Sequence, residues 1–566
     1  MVLKLHDFMK TARITAISLL AFTGSFVFAQ DDFPRPPDFQ GGPPPGGPMT
    51  GGERKILKQF DKDDDKRLNK DERAAAREFL KENPQEQRRG GPPPGMRGPG
   101  GRENQAAPVP GAKVSKDEVK PEASDDLYDA GTLRTLFLDF ENKDWEAELE
   151  AFHGTDVEVP ADLTADGKVH PGVGVHFRGM SSYMMVSAGR KRSLNVSIDF
   201  TNDKDRLNSV KTLNLLNSNG DGSFLSAVLF SRIARKHIAA PKVNLVRVVI
   251  NGDDWGVYVN QEQFNKDFLK ANYGSAKGAR WKVRGSPNGR GGLDYIGDEI
   301  EPYKQRYEMK DGNEDDWHAL IRLCKTLCET PVDQLEEKLS PILDIDGALW
   351  FLALDCGLIN SDGYWTRASD YTIYRDKKGK FHVVPGDMNE AFREPEGPGM
   401  GGPPRGMRPD RAPQPGQQGP PRNAERPFPP PGGNMPRVDG VKLDPLVAMN
   451  DAGKPLRSKL LAVPKLRDRY LANLRQLAEV DLDWKNLGPV VAGYRKLAEK
   501  AVAADTRKLS TTEEFLKLTA DEVSATPEAA PAEMRRGPGH GGMVIRAFAE
   551  QRRAFLLADP RVREAN

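Results

Sequence analysis

Cysteine is scarce in this chain, and neither sign of charge dominates. Only 3 of the 566 residues are cysteine, which excludes the dense disulfide frameworks that hold small secreted domains together. The 83 basic and 82 acidic residues leave a formal net charge of +1. No overall field therefore draws the protein to nucleic acid or to acidic lipid, and we expect no nucleic-acid partner. Beyond the N-terminal segment, no apolar run is long enough to span a membrane.

The N-terminus has the three parts of a secretory signal peptide. Basic residues precede the apolar run Ile14–Ala29, in which Val27 and Ala29 have the spacing that signal peptidase recognises. We expect residues 1–29 to be removed and the mature protein to be secreted, periplasmic or extracellular, without stable membrane insertion. An uncleaved membrane anchor is the alternative, but the run is shorter than the ~20 residues of a spanning helix.

Glycine and proline, in contrast, are abundant and clustered. The chain contains 55 glycines and 45 prolines, and the segments that hold them bury too little apolar surface to fold alone. We interpret these segments as disordered, solvated spacers, with binding of an anionic polymer through their arginines as the alternative. The composition predicts a signal peptide at 1–29, a Pro/Gly-rich linker at 30–52, a small helical module at 53–83, a disordered linker at 84–125, a main domain at 126–392, a Pro/Gly-rich insertion at 393–438, a helical continuation of the main domain at 439–523, a linker at 524–542 and a C-terminal helix at 543–566.

The small helical module contains a twelve-residue acidic loop, Asp61–Glu72. Oxygen-bearing groups stand at the ligand positions of a calcium-binding EF-hand loop, and helical sequences flank it. Lys66 takes the sixth position, where the sharp turn prefers glycine, so we expect weak Ca²⁺ binding. An acidic helix cap without calcium is the alternative. The expected Ca²⁺ ligands are Asp61, Asp63, Asp65, Arg67 through its carbonyl, Asn69 and Glu72.

The order of the predicted elements indicates an α+β fold. Alternating apolar residues predict strands, which dominate the first part of the main domain, and helical periodicity dominates the later part. The predicted strands are 173–178, 194–200, 243–250 and 257–262, and the predicted helices are 224–237, 315–327 and 345–359.

The most informative stretch, 355–392, places three acids around a predicted β-hairpin. Asp362 ends a helix-like run, Asp370 precedes the first strand and Asp387 follows the second. A hairpin brings its ends together, so we expect Asp370 and Asp387 within a few ångströms of each other. Clustered carboxylates repel unless a proton or a cation lies among them, and hard oxygen ligands suit Mg²⁺, Mn²⁺ or Ca²⁺. This order of acids around a hairpin is similar to the catalytic and metal-binding segments of protein kinases.

Four stretches, in this order, resemble the spore coat protein H (CotH) kinase-like family over 130–392, and more weakly over 440–557. The resemblance implies a secreted bacterial protein with an atypical protein-kinase-like fold, here preceded by a single EF-hand. It also implies that the protein binds ATP with Mg²⁺ or Mn²⁺ and phosphorylates Ser or Thr of a partner protein. The four stretches are Gly174–Ser182 followed by Lys191–Leu194, then Lys211–Leu215, then Val249–Tyr258 running into Glu262–Asn265, and the acidic hairpin.

The resemblance assigns roles to single residues. It implies that Gly179, Ser181 and Ser182 form a turn that covers the phosphates, where backbone N–H groups approach phosphate oxygens. The other implied nucleotide contacts are Lys191, Glu262 and Lys282. Asp362 matches the catalytic-loop Asp, so the implied catalytic residues are Asp362 and Lys191. The implied Mg²⁺ or Mn²⁺ ligands are Asp370, Asp387 and Asn389.

These residues also have purely structural interpretations. In these interpretations, Lys191 is an exposed strand end and Glu262 is a salt-bridge partner. Asp362 and Asp387 are turn formers. In addition, Asp370 stands where the family usually has Asn, and Gly386 stands where it usually has Trp. These differences, and the scarcity of ATP outside the cytoplasm, favour an alternative function: a non-catalytic, kinase-like structural or binding protein of the cell surface or extracellular matrix.

Overall fold

The computed structural model describes residues 53–83, 108–179, 181–283, 291–394, 441–522 and 542–565. The predicted signal peptide and the linker at 30–52 lie outside these residues, as do most of the predicted insertion at 393–438 and of the linker at 524–542. None of the described helices is both long enough and apolar enough to cross a membrane.

Seven strands close into a barrel. They are β1 (Arg134–Phe140), β2 (Val159–Ala165), β3 (Lys168–Phe177), β4 (Leu194–Ser197), β5 (Thr212–Leu216), β6 (Val243–Ile250) and β7 (Asp253–Glu262). The order around the barrel is β1-β2-β3-β4-β5-β7-β6. Parallel pairing of β1 with β6 closes it, with Arg134 opposite Val246 and Leu138 opposite Ile250. The other neighbouring strands are antiparallel.

Alternating apolar side chains fill the barrel. In β3, Val173, Val175 and Phe177 are buried in the same core as Leu136 and Leu138 of β1. β-Branched and aromatic side chains pack well on a pleated surface, and their alternation turns one face of each strand inward. Closure of the sheet also removes the free edges at which other chains can pair.

A second sheet of four antiparallel strands carries the acidic hairpin. Its strands are β8 (Gly278–Val283), β9 (Tyr307–Asp311), β10 (Tyr371–Asp376) and β11 (Phe381–Pro385), in the order β11-β10-β8-β9. The hairpin of β10 and β11 pairs Tyr371 with Pro385. Trp281 of β8 is fully buried between this sheet and the helices.

Helices pack against the second sheet and continue to the C-terminus. Leu320, Leu349, Leu460, Leu474 and Phe548 come from five of them and are fully buried in one core. The helices of the described residues are α1 (Leu57–Phe60), α2 (Lys70–Glu82), α3 (Trp145–Phe152), α4 (Ser181–Met184), α5 (Ser226–Ala234), α6 (Lys266–Tyr273), α7 (Ile300–Lys304), α8 (Glu314–Glu329), α9 (Val332–Leu339), α10 (Ile345–Gly357), α11 (Tyr364–Arg367), α12 (Pro455–Ala462), α13 (Pro464–Gln476), α14 (Trp484–Ala504), α15 (Thr512–Leu518), α16 (Ile545–Ala558) and α17 (Pro560–Arg563).

The predicted α+β class is confirmed, with strands first and helices later. The predicted strand 243–250 is β6 itself, and the predicted helices 315–327 and 345–359 differ from α8 and α10 by two residues or fewer at each end. The sequence pattern does not predict closure of the barrel, because closure depends on pairing of β1 with β6, which lie far apart in the chain.

The helical module at the N-terminal side packs directly on the barrel. Ile56 and Leu68 belong to the same apolar core as the barrel strands. Buried Arg73 of α2 donates a hydrogen bond to buried Glu148 of α3 at 2.8 Å. The Asp156 carboxylate accepts a hydrogen bond from the Ile56 N–H at 2.8 Å. The module is therefore part of one packed unit with the barrel, and not a separate island as the composition predicts.

The structure also differs from the predicted disordered linker at 84–125. Its described part, 108–125, lies along the barrel and contains the short 3-10 helix Lys116–Glu118. The Val114 N–H donates to the Gly252 carbonyl at 2.9 Å. Composition alone misleads here because the backbone of this segment finds its hydrogen-bond partners on the β6–β7 hairpin.

Candidate functional site

Asp362 lies in the turn that joins α10 to α11. Asp355, in the last turn of α10, is buried and accepts a hydrogen bond from the Trp365 N–H at 2.9 Å. A Cβ at Gly363 would lie 1.7 Å from Asp355 Oδ1, so only glycine allows this close approach. The Ser369 hydroxyl donates to the Asp362 carbonyl at 2.8 Å. These contacts fix the backbone on both sides of Asp362.

The β10–β11 hairpin puts the backbones of Asp370 and Asp387 in direct contact. The N–H groups of Gly386 and Asp387 both donate to the Asp370 carbonyl, at 2.8 and 3.2 Å. Asp370 has a φ of 58°, a left-handed conformation that costs a non-glycine residue about 1–2 kcal/mol. A Cβ at Gly386 would lie 3.0 Å from the Asp370 carbonyl oxygen. Backbone strain like that at Asp370 often occurs at functional sites.

The three acids and Glu390 act on one another electrostatically. Burial raises the pKa of Asp362 to about 8, and the charges of Glu390 and Asp387 add to the rise. Burial and the charges of Asp387 and Asp362 place the pKa of Asp370 well above its usual range. Loss of hydration next to the surrounding protein atoms likewise raises the pKa of Asp387, with a contribution from Glu390. Such a cluster either retains protons or accepts a cation. Sequence analysis missed Glu390, although it follows Asp387 closely in the chain.

The acids lie where the second sheet meets the barrel, and we call this junction the cleft. Asp387 is exposed and Asp362 and Asp370 are half-buried, so solvent reaches all three although protein atoms surround them. Gln261 of β7 donates a hydrogen bond to the Gly386 carbonyl at 2.7 Å, which ties the barrel to the hairpin.

Two asparagines support Asp387. The Asn389 N–H donates to Asp387 Oδ1 at 3.2 Å, and Asn360 Nδ2 donates to the Asp387 carbonyl at 3.2 Å. The Asn360 side chain is buried, and within the described ranges its Oδ1 has no hydrogen-bond partner. The sequence analysis names Asn389 as a metal ligand but misses Asn360.

Two basic side chains, Arg178 and Lys282, lie beside the acids. Arg178 follows β3 on the barrel, and Lys282 lies in β8, next to β10. Burial lowers the pKa of both groups. The charge of Asp387 opposes this at Arg178; at Lys282 the charge of Arg178 adds to it, and the charges of Glu308 and Asp370 oppose it. Neither side chain makes a hydrogen bond or an ion pair in the part of the chain that the structure describes. The sequence analysis names Lys282 and misses Arg178.

The predicted phosphate turn follows Arg178 directly. Gly179 has a φ of 98°, which favours glycine, and a Cβ there would lie 2.3 Å from Ser182 Oγ. Ser181 begins α4. Because the charge of Arg178 acts on Asp387, this turn lies near the acidic cluster.

A sequence model of the CotH kinase protein family matches residues 175–556, about two thirds of the chain. The chain belongs to the CotH kinase family. The match begins in β3 and ends in α16, so it contains Arg178, the phosphate turn and the acidic cluster, but not α1, α2, β1 or β2. The resemblance inferred from the sequence is thereby confirmed. A comparison with curated proteins finds no match.

Two residues that the CotH resemblance implies as nucleotide contacts have other partners here. Lys191 is 0% exposed; its ammonium pairs with Asp505 and donates to the Val257 carbonyl at 2.7 Å. The interpretation of Lys191 as an exposed strand end is therefore wrong. Glu262 accepts a hydrogen bond from the Lys242 N–H at 2.9 Å, and burial raises its pKa. None of these contacts involves the acidic cluster.

The predicted calcium loop brings its first three acids together. One oxygen from each of Asp61, Asp63 and Asp65 lies within 4.8 Å of the others, and no other set of metal-binding side chains in the described residues is equally compact. Lys66 has a φ of 67°, the left-handed turn that favours glycine. Glu72 is buried and accepts hydrogen bonds from two backbone N–H groups of the loop, at 2.7 and 2.9 Å.

The remaining loop residues anchor the calcium loop to its surroundings. Asn69 Oδ1 caps α2 by accepting hydrogen bonds from the N–H groups of Asp71 and Glu72, at 3.1 and 3.2 Å. The Arg67 guanidinium donates to the Phe200 carbonyl on the barrel at 2.9 Å. The loop precedes the residues matched by the CotH family, so its interpretation rests on its own sequence and geometry.

Proposed function

We propose that this CotH family member is a secreted kinase that binds ATP with Mg²⁺ or Mn²⁺ in the cleft and phosphorylates Ser or Thr of a partner protein. One observation carries the proposal: three acids with raised pKa values lie beside two basic side chains that have no partners within the described residues. Perturbed titratable groups in a cleft are typical of functional sites. Phosphoryl transfer requires well-placed charges rather than a covalent intermediate.

Asp370 and Asp387 are the proposed ligands of the divalent cation, with Asn389 beside them. Carboxylate oxygens suit Mg²⁺ and Mn²⁺, and a cation would relieve the repulsion that raises the pKa values of these acids. When bound, the cation supplies charge that neutralises the phosphate oxygens. The hairpin acids are less closely grouped than the acids of the calcium loop, and we propose that cation binding draws them together.

Asp362 is the proposed general base. It would accept the proton of a Ser or Thr hydroxyl as the hydroxyl oxygen bonds to the γ-phosphorus, while the bond to the β–γ bridging oxygen breaks and ADP leaves. Its pKa of about 8 keeps the free carboxyl protonated at neutral pH. A cation beside it and the guanidinium of Arg367, which pairs with Asp362 at 2.5 Å, both favour the ionised form.

A non-catalytic binding protein is the second candidate. Asp362 pairs with Arg367, and the nearby charge of Glu390 disfavours its ionised form, so one neighbour already engages the proposed base and another opposes its ionisation. Asp370 also replaces the Asn that is usual in the family. In this second function, the cleft binds a nucleotide or another phosphate compound without transferring a phosphoryl group.

We further propose that the protein is secreted and that its 61–72 loop binds Ca²⁺. The signal-peptide pattern at 1–29 supports secretion. The three clustered acids support a calcium site, while the strained, positively charged Lys66 makes it weak. Weak affinity suits an exported module, since extracellular calcium modules work at dissociation constants of about 10⁻⁴–10⁻³ M.

Calorimetry with Mg²⁺-ATP, and transfer of labelled γ-phosphate to casein or to the protein itself, test the kinase proposal on the full mature chain. Asp387→Ala should abolish Mg²⁺-ATP binding. Asp362→Asn should keep binding and lose transfer, because a base acts on the chemical step and not on ground-state affinity. Asp333→Asn, an exposed acid of α9, is the matched control and should change neither.

The possible results separate the two functions. Wild-type protein that binds Mg²⁺-ATP and transfers no phosphate to either acceptor would support the binding protein. Transfer by Asp362→Asn at the wild-type rate would contradict the role of Asp362 as base.

A further inference from the structure

We propose that Arg178, acting with Lys282, binds the phosphate groups that coordinate the cation. This inference rests on the nucleotide binding proposed above and adds to it a residue from the barrel wall of the cleft. The ligand chemistry is that of a polyphosphate, because such a ligand would contact both the two basic side chains and a cation held by the neighbouring acids.

The backbone of Arg178 is held firmly at the end of β3. The ladder between β3 and β4 pairs Phe177 with Leu194, and the Arg178 N–H extends it by donating to the Ser193 carbonyl at 2.9 Å. Gly179 then turns the chain away. Arg178 is therefore the last residue fixed by the barrel before the predicted phosphate turn, and a fixed backbone reduces the entropy lost when its side chain binds a ligand.

Lys282 approaches the acids from the second sheet. It pairs with Thr372 of β10, and Asp370 lies two residues before Thr372. Asp370 directly precedes β10 and has a left-handed φ of 58°. Its charge acts on Lys282, but the two side chains form no ion pair in the described residues. A ligand that bridges them would supply the missing contact.

Arg178 is half-buried, and its side chain has no hydrogen-bond or ion-pair partner in the described residues. The surrounding protein atoms lower its pKa, and the charge of Asp387 opposes that change. Enclosing a charge without a hydrogen-bonded partner is costly. A planar guanidinium matches two phosphate oxygens at once, so a phosphate group would supply the missing partners. The proximity of Arg178 to Asp387 places that phosphate beside the proposed cation.

Calorimetry on the full mature chain with three probes tests this inference: Mg²⁺-ATP, Mg²⁺-tripolyphosphate and adenosine. Arg178→Gln should weaken binding of both phosphate probes by roughly 10- to 100-fold, the usual effect of losing hydrogen bonds to a charged group. Adenosine binding should not change. Lys282→Gln should act in the same direction. The matched control is Lys168→Gln, an exposed lysine at the opposite end of β3, which should bind all probes as the wild type does.

Arg178→Lys keeps the charge and loses the two-point contact, so it should bind the phosphate probes with intermediate affinity. If Arg178→Gln does not fold, Arg178→Lys alone tests the inference. Wild-type affinity for Mg²⁺-tripolyphosphate in folded Arg178→Gln, or in Arg178→Lys, would overturn the inference.

The tripolyphosphate probe separates this inference from the proposed function. If the wild type binds tripolyphosphate in an Arg178-dependent way but does not bind ATP, nucleotide binding is wrong and the phosphate role of Arg178 stands. If the wild type binds ATP and Arg178→Gln binds it equally well, the proposed function stands and the role of Arg178 is wrong. If the wild type binds neither phosphate probe, both are wrong.

Discussion

Two groups of charged side chains in this protein differ in whether they have partners. Next to the barrel core, the Lys191 ammonium pairs with Asp505 and also donates to the Val257 carbonyl at 2.7 Å. In the cleft, Arg178 and Lys282 lie near several acids but make no ion pair within the described residues. The same types of side chain are therefore matched in one region and unmatched in the other.

The presence or absence of a partner distinguishes residues that stabilise the fold from residues whose charges a bound ligand would neutralise. A matched buried pair is costly to break, because removal of one member leaves the other uncompensated. Unmatched charges destabilise the free protein, and natural proteins tolerate them where activity requires them. On this argument, Lys191 joins the barrel to the end of α14, and the charges of the cleft belong to the binding site.

Breaking the matched pair should have the largest effect on stability. We expect Lys191→Met to lower the free energy of unfolding by about 3–5 kcal/mol, because Asp505 would remain buried without its cation. Urea denaturation of the full mature chain measures this change, with tryptophan fluorescence as the signal of unfolding.

The control is the double variant Lys191→Met with Asp505→Asn. The Asn side chain is neutral and keeps an oxygen for the Arg507 N–H, which donates to Asp505 Oδ1 at 2.9 Å. Most of the lost stability should therefore return. If Lys191→Met unfolds at the same urea concentration as the wild type, the pair does not hold the fold and the contrast with the cleft fails.

Local patterns in the sequence are enough to predict several elements. The β-branched residues that dominate β6 and the helical periodicity of α8 and α10 give their bounds to within two residues. The position of Asp370 beside Asp387 follows from the hairpin, since pairing of Tyr371 with Pro385 brings both ends together. These features depend on neighbours in the chain.

Features that depend on distant partners are not predictable in this way. Lys191 pairs with Asp505, which lies 314 residues further along the chain. Parallel pairing of β1 with β6 closes the barrel, and no local sequence pattern predicts this pairing. Arg178 and Glu390 join the site only through the folding of separate segments. The sequence therefore shows the types of residue that the site needs, but not which lysine lies beside the acids.

The clustered acids of the cleft should also make stability depend on pH. The pKa of Asp362 rises from an ordinary 3.8 to about 8 in the folded protein. The folded state then holds a proton that the unfolded chain has lost, so this stabilising contribution is complete below about pH 4 and disappears as pH rises through 8. We expect the free energy of unfolding to fall with rising pH across this range, by no more than about 1.4 kcal/mol per pH unit from Asp362.

Urea denaturation at pH 5, 6, 7 and 8 without divalent cations measures this slope. Asp362→Asn removes the titrating group and should flatten the curve, and Mg²⁺ should flatten the wild-type curve because a cation favours the ionised acids. Equal slopes for the wild type and Asp362→Asn would show that Asp362 does not retain its proton, and would weaken the contrast with the matched pair.

The calcium loop provides a third, milder case, in which each of Asp61, Asp63 and Asp65 accepts a hydrogen bond from a backbone N–H of the loop. Asp61 accepts a hydrogen bond from the Lys66 N–H at 2.9 Å, and Lys66 has a φ of 67°. Lys66→Gly should remove about 1 kcal/mol of turn strain and a nearby positive charge. We therefore expect Lys66→Gly to stabilise the protein slightly and to bind Ca²⁺ several-fold more tightly than the wild type, as measured by calorimetry on the full mature chain.

Three further variants separate the two causes of this effect. Lys66→Gln removes the charge and keeps the strain, so its gain in Ca²⁺ affinity should be smaller than that of Lys66→Gly. Lys62→Gln removes an exposed lysine of the same loop without touching the strained position and measures the effect of charge alone. Glu72→Gln should abolish the binding heat.

Equal gains in Ca²⁺ affinity for Lys66→Gln and Lys66→Gly would assign the effect to charge, because relief of the turn strain requires glycine. Absence of heat in all variants at millimolar Ca²⁺ would show that clustering of Asp61, Asp63 and Asp65 does not by itself make a calcium site, which would leave the cleft as the single candidate metal site of the described residues.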